Sequence, residues 1–216
     1  MFWLKNWPFF KLRKKLVSWA DKGVYPADNK MPQAIKISRS IGKTIKQMKD
    51  NTNADGSERA VTVLDIDGLL ILTPAISGES EKVVLKHKFE VKYQYDRKNQ
   101  RCYRQIYRDD RLIIKDYFMA QKAPLGIKLR VLFNIHTHPH PEISNFFSEV
   151  DIEGFLSNPK IPALVLVTKD IWCLLKTRKT QEPRNQILSQ NPLKQCQEAG
   201  LAVYKGRIGE RLKRIG

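Results

Sequence analysis

Asn134-Ile135-His136-Thr137-His138-Pro139, followed by Ser148-Glu149-Val150-Asp151, is the stretch on which the fold of this chain turns. It closes the strongly apolar run Leu129–His138, which is predicted as a strand. A strand's period of two puts His136 and His138 on the same face, with their rings close together. Pro139 has no amide hydrogen to continue a ladder, so the pair sits at the strand's open end. Ser148 is a good N-cap for a helix predicted over Glu149–Leu156, which places Asp151 in the first helical turn. Two neutral imidazoles and one carboxylate supply three metal ligands and leave the fourth position open, as in catalytic zinc sites. Singly, each part has an ordinary reading. Ser-x-x-Asp is close to a capping box with Asp in place of Glu, and an isolated H-x-H is more often not a metal site. Their joint occurrence across residues 136–151 carries the weight.

Working toward the N-terminus, strand chemistry occupies the middle of the chain. Ala60–Leu64 and Leu69–Leu72 read as a hairpin turning at Asp67-Gly68. Lys82–Tyr95, Gln100–Tyr107 and Arg111–Tyr117 read as further strands, the last two joined at Asp109-Asp110. Before them, Ile37, Ile41, Ile45 and Met48 share one face of a helix predicted over Pro32–Lys49. Asn51–Gly56 is expected to be a loop. Ser40-Ile41-Gly42-Lys43-Thr44 is not a phosphate loop, because Ile37 stands where the upstream glycine is required. Beyond the helix at Glu149–Leu156, Ala163–Val167 and Ile171–Leu175 form a late hairpin around Lys169-Asp170. This order of helices and strands indicates an α+β domain with one mixed central sheet flanked by helices.

Three segments are expected. Residues 1–30 form an aromatic and basic arm, residues 31–180 the main domain, and residues 181–216 a basic, partly helical tail. In the arm, Phe2, Trp3, Trp7, Phe9, Phe10 and Trp19 interleave with Lys5, Lys11, Arg13, Lys14 and Lys15. A helix over about Phe9–Asp21 either lies on a membrane surface or packs its aromatics on the main domain or a partner.

The 216 residues hold 42% hydrophobic side chains, enough for a core, and no run long enough to span a bilayer. The N-terminus is apolar first and basic after, the reverse of a secretory signal. Cys102, Cys173 and Cys196 are odd in number and far apart, so no disulfide framework or zinc cage is expected, as suits a reducing compartment. They read as small buried apolar residues, and a cytoplasmic location follows, with peripheral attachment to a membrane as the open alternative. The formal charge of +17 favours anionic partners: nucleic acid or an anionic membrane surface, met through the basic termini.

The sequence resembles the JAMM motif of the JAB/MPN zinc metallopeptidases, in H-x-H-P and S-x-x-D and over roughly residues 33–176, prokaryotic JAB-like domains in particular. The resemblance implies a β-sheet flanked by helices, in the layering shared with cytidine deaminases, and a zinc ion held by His136, His138 and Asp151. It also implies a catalytic glutamate opening an early strand, and a serine that assists at the reacting carbonyl, here Ser148. Glu58 occupies the glutamate's place, although Arg59-Ala60 stands where many relatives carry glycine. Asp65 is the rival, since Asp65-Ile66-Asp67-Gly68-Leu69-Leu70 also slides under the family's E-x-x-G-x-L pattern. The implied activity is hydrolysis of a peptide or isopeptide bond, in a protein or peptide substrate such as a ubiquitin-like conjugate. The alternative is a non-catalytic or DNA-associated module of the same fold. No helix-turn-helix, zinc-finger or RNA-recognition signature supports that alternative, and its relatives typically lose ligands that are present here.

Overall fold

The computed structural model describes residues 6–73, 75–78, 89–119, 128–139, 145–180 and 191–215. The chain forms two units: Met1–Val83 with Arg130–Gly216, and Val84–Leu129.

The larger unit starts with β1 (Asn6–Trp7), α1 (Phe9–Lys22), β2 (Ala34–Lys36) and α2 (Arg39–Asp55). In α1, Leu12, Leu16 and Trp19 recur at helical spacing and are all buried, while most of the lysines face outward. The Trp7 and Trp19 rings meet at 5.9 Å, and Gly23 closes the helix in the left-handed conformation. The expected arm is therefore part of the core from residue 6 onward. Leu12, Leu16 and Trp19 of its apolar face are spent on the protein's own interior, while Phe10 is exposed.

The helix predicted over Pro32–Lys49 is displaced. Ala34–Lys36 pairs as a strand with β1 and with the chain's last strand, so the helix starts only after Ser38, whose hydroxyl accepts from Ile41 N at 3.2 Å. Pairing on both edges outweighs local helix preference here. Nor does Asn51 end the helix. It runs on to Asp55, with Thr52 buried and Gly56 as the left-handed cap.

Next come β3 (Arg59–Ile66), β4 (Leu69–Leu72) and β5 (Ile76–Ser77). Asp67 and Gly68 both have positive φ, as a two-residue hairpin turn demands. The smaller unit contains β6 (Phe89–Asp96), β7 (Arg101–Arg108) and β8 (Arg111–Met119), an antiparallel three-stranded sheet. The expected strand over Lys82–Tyr95 is described only from Phe89, its first residues lying outside the described ones. The chain then returns through β9 (Leu129–Thr137), α3 (Glu149–Leu156), β10 (Ala163–Val167), β11 (Ile171–Lys176), α4 (Pro192–Glu198), β12 (Leu201–Gly206) and β13 (Arg211–Ile215).

The main sheet runs β1-β2-β13-β12-β11-β10-β9-β3-β4, with β5 on β3. It is mixed: β9 and β10 are parallel, whereas β10–β11, β11–β12 and β12–β13 are antiparallel. The protein is thus α+β. Strand parity divides the core in two. Ala163, Val165 and Val167 with Ile171, Cys173 and Leu175 face the helices α1 and α2. Leu164, Leu166, Trp172 and Leu174 face α3 and α4.

Residues 191–215 correct the second expected boundary. β12 and β13 lie inside the sheet between β11 and β2, with Leu201, Ala202, Val203, Tyr204 and Leu212 buried. The Tyr204 hydroxyl donates to Pro32 O at 2.9 Å, joining the end of the chain to its beginning. At Gly200, φ is +76° and an added Cβ would collide with the Lys179 backbone, so only glycine fits. Residues 181–190 lie outside the described ones. Cys173 and Cys196 are buried as expected, their thiols pushed up to about 12 by burial, and Cys102 is half-buried. No helix among the described residues is long and apolar enough to cross a membrane.

Candidate metal centre

Parity assembles the site. Along β9, His136 pairs in register with Leu166 and Thr137 with Val167. Leu166 belongs to the α3 side of the sheet and Val167 to the α2 side. Consecutive residues of H-T-H therefore serve opposite faces: the histidines point toward α3, and Thr137 points toward α2. His138 lies just past the end of β9, and its amide still donates to Val167 O at 3.3 Å. Both rings are thereby fixed from the backbone, with centroids 5.1 Å apart.

Asp151 reaches them from the first turn of α3. Its Oδ1 is 3.3 Å from His136 Nε2 and its Oδ2 is 3.4 Å from His138 Nε2. One ligand atom from each residue lies within 4.8 Å of the other two, a group that could hold a metal ion. The helix start is rigidly built. Ser148 N donates to Asp151 Oδ2 at 2.9 Å and Ser148 Oγ donates to the same oxygen at 2.6 Å, while Asp151 N donates back to Ser148 Oγ at 3.2 Å. This is a reciprocal capping box. Burial opposes ionisation of Asp151, but the adjacent His136 and His138 imidazoles and the Ser148 hydroxyl outweigh it and hold the carboxyl well below the usual carboxylate range.

Glu58 stands immediately before β3, and its Oε1 is 3.7 Å from His138 Nε2. Its own carbonyl accepts from Gly78 N at 3.1 Å, and the next amide, Arg59 N, donates to Thr137 Oγ1 at 2.9 Å. The Arg59 side chain folds back on Asp55, with Nη1 to Oδ1 at 2.9 Å. That bond, with one from Ser57 N to Asp55 Oδ1 at 2.9 Å, draws the Asp55 carboxyl down to about 2.

Asp65, the rival carboxylate, is elsewhere. It lies seven residues along β3, roughly 20 Å at strand rise. There it is buried and bound by Arg13 Nη2 at 2.6 Å, Arg130 Nη1 at 3.3 Å and Gly68 N at 3.1 Å. Asp65 joins α1 to the sheet and has no geometry toward the histidines.

The structure thus brings Glu58, His136, His138, Ser148 and Asp151 together. His87 and His140 lie outside the described residues. Sequence reasoning missed Thr137 and Thr52, whose hydroxyls meet at 2.7 Å under the site. It also missed Phe147, whose ring lies 6.0 Å from that of His136. Thr137 was legible in principle, since the parity that pairs the histidines sends it to the other face.

The donor set suits zinc. His136 Nε2 is buried without a hydrogen-bond partner, an exception that a bound cation would explain. Two imidazole nitrogens and a carboxylate on one side of a cluster are what a three-ligand zinc site needs. Comparison with protein-family models, with curated proteins and with solved structures found no match to the chain. What fold and site define is an α+β protein with a mixed sheet and a His-His-Asp cluster able to hold a metal.

Proposed function

We propose that this protein is a zinc-dependent hydrolase of peptide or isopeptide bonds, of the JAMM type and with the JAB/MPN layout of sheet and helices. The observation that carries the reading is the gathering of His136, His138 and Asp151 within 4.8 Å, with the Glu58 carboxylate 3.7 Å from His138 Nε2. The spacing that resembles the family's motif supports it independently of that geometry.

His136, His138 and Asp151 would hold the ion. When bound, zinc supplies Lewis acidity and makes water a competent nucleophile at neutral pH. Glu58 takes a proton from the attacking water and returns it to the leaving amine, the exchange a carboxylate beside the ligands can make. The peptide joining Glu58 to Arg59 is fixed by Gly78 and Thr137, so the backbone that presents the carboxylate is in place before substrate arrives. Ser148 has two competing tasks. Its hydroxyl proton goes to Asp151 Oδ2, so stabilising an oxyanion requires that hydroxyl to turn away from Asp151. The amide class of substrate, and a ubiquitin-like conjugate as an example, come from the resemblance.

The test is a cleavage assay on peptide and isopeptide-linked substrates, with zinc content measured on the same preparation. Stoichiometric zinc with chelator-sensitive cleavage supports the reading. Zinc-loaded protein inert toward both substrates would leave a metal-binding domain without this activity.

A further inference from the structure

One face of the smaller unit's sheet is rich in cations and tyrosines and uses none of the metal-centre residues. Register places Lys92, Arg101, Tyr103, Tyr107, Lys115 and Tyr117 together on one side of the β6-β7-β8 sheet. The other side carries buried Ile106 and Ile114, and its buried arginines are paired, Arg104 with Asp116 and Arg108 with Asp109 at 3.0 Å, with Tyr93 and Tyr95 exposed toward one end.

On the first side two of the tyrosines are in contact, and Tyr107 lies four residues along β7 from Tyr103. Tyr103 and Tyr117 are directly opposite across β7 and β8, with ring centroids 6.3 Å apart, and Tyr117 is 60% exposed. Every ring has a cation beside it. Lys92 Nζ lies 4.9 Å from the Tyr107 centroid, the Arg101 guanidinium 4.9 Å from Tyr117 and Lys115 Nζ 5.6 Å from Tyr103. Two acids share the face: Glu90, 3.5 Å from Lys92, and Asp96, opposite Arg101 in register, so the cations outnumber the acids by three to two. Arg97 and Lys98, exposed at the β6–β7 turn, extend the positive charge past the sheet's end.

We infer that this face binds single-stranded nucleic acid. Charge complementarity selects a polyanion, and the tyrosines select one with accessible flat faces. Flexible anionic strands are held by cations that track phosphates and by aromatic rings on which bases stack. A duplex buries its base faces and would leave the tyrosines idle. An acidic peptide would use the cations alone.

The experiment is anisotropy of the full-length protein with labelled oligothymidylate and oligouridylate across a salt titration. Tyr117→Ala is expected to weaken binding about tenfold with little change in salt slope, and Tyr117→Phe to retain it. Lys92→Ala and Lys115→Ala are each expected to flatten the salt slope by about 0.7. Should Tyr117→Ala lower the melting temperature, the exposed positions decide through Lys92→Glu and Lys115→Glu, and unchanged affinity in both would overturn the inference. Equal affinity for a duplex, or equal competition by polyglutamate, would also overturn it. So would an equal loss from Arg211→Ala with Lys213→Ala on β13, which would move the binding to the basic C-terminal strand.

Discussion

Thr137 Oγ1 accepts a 2.9 Å hydrogen bond from the amide of Arg59, so the residue between the two histidines is tied to the residue after Glu58. The same hydroxyl meets Thr52 Oγ1 at 2.7 Å in a buried contact with α2. Thr137→Val would leave an amide hydrogen and a hydroxyl without their partner. The expected cost is about 2 kcal/mol, read from urea unfolding. Rate should fall while zinc content stays near one per chain, and Thr137→Ser should recover most of both. A Thr137→Val protein of unchanged stability and rate would remove Thr137 from the positioning of Glu58.

Zinc should raise the melting temperature of the chelator-treated protein, because an ion that binds only the folded state stabilises it by mass action, about 2.7 kcal/mol at a hundredfold excess over Kd. His136→Ala and His138→Ala should abolish that rise, and Asp151→Asn should reduce it. A double histidine variant that still responds to zinc would place the metal elsewhere.

Exchanging the two candidate carboxylates separates chemistry from architecture. Glu58→Gln should retain zinc and stability but lose about 10²–10⁴-fold in rate. Asp65→Asn should act the other way, because it leaves Arg13 and Arg130 beside an uncharged amide in a buried pocket. Its expected effect is a destabilisation of about 3 kcal/mol, with rate kept in the folded fraction.

Ser148→Ala removes both a cap and the hydroxyl donor to Asp151 Oδ2. Helix capping accounts for about 1 kcal/mol of stability. If positioning Asp151 is the main task, zinc affinity should fall with it. If oxyanion stabilisation is the main task, rate should fall by much more than affinity. Measuring both on one preparation distinguishes them.

Lys176 allows a test of pH dependence away from the metal. Burial pulls its ammonium down from 10.5 to about 8, with Nζ over the Phe155 ring at 4.5 Å. The folded state therefore releases this proton before the unfolded state does. Below about pH 8 both states are protonated and the full penalty is present, and it is relieved as pH rises from about 8 to 10.5. The stability of the wild type relative to Lys176→Met should climb across that interval. A flat difference curve would show that the ammonium is better solvated than its burial indicates.

Much of the element pattern could be read locally. Glu149–Leu156 and Ala163–Val167 lie where periodicity and capping put them, and the Asp67-Gly68 hairpin turn follows from two residues that tolerate positive φ. Ala34–Lys36 was misread as helix because its strand partners are β1 and β13, the latter some 180 residues away in sequence. The terminal segments were misread for the same reason. A helix with three lysines in its first seven residues carries no local sign that Leu12, Leu16 and Trp19 meet a sheet, and β13 reads as a basic tail until it is paired.

By itself the sequence determined that His136 and His138 share a face and that Asp151 starts a helix. Strand period and N-cap chemistry are local, fixed by a few consecutive residues. Only the tertiary structure decided which carboxylate faces the histidines. Glu58 and Asp65 lie on one short segment with comparable motif matches, and their separation appears only when β3 is laid beside its neighbours. The sheet then holds Glu58 3.7 Å from His138, while α1 delivers Arg13 to Asp65 at the strand's other end. That assignment depends on contacts between residues far apart in the chain, which no local spacing encodes.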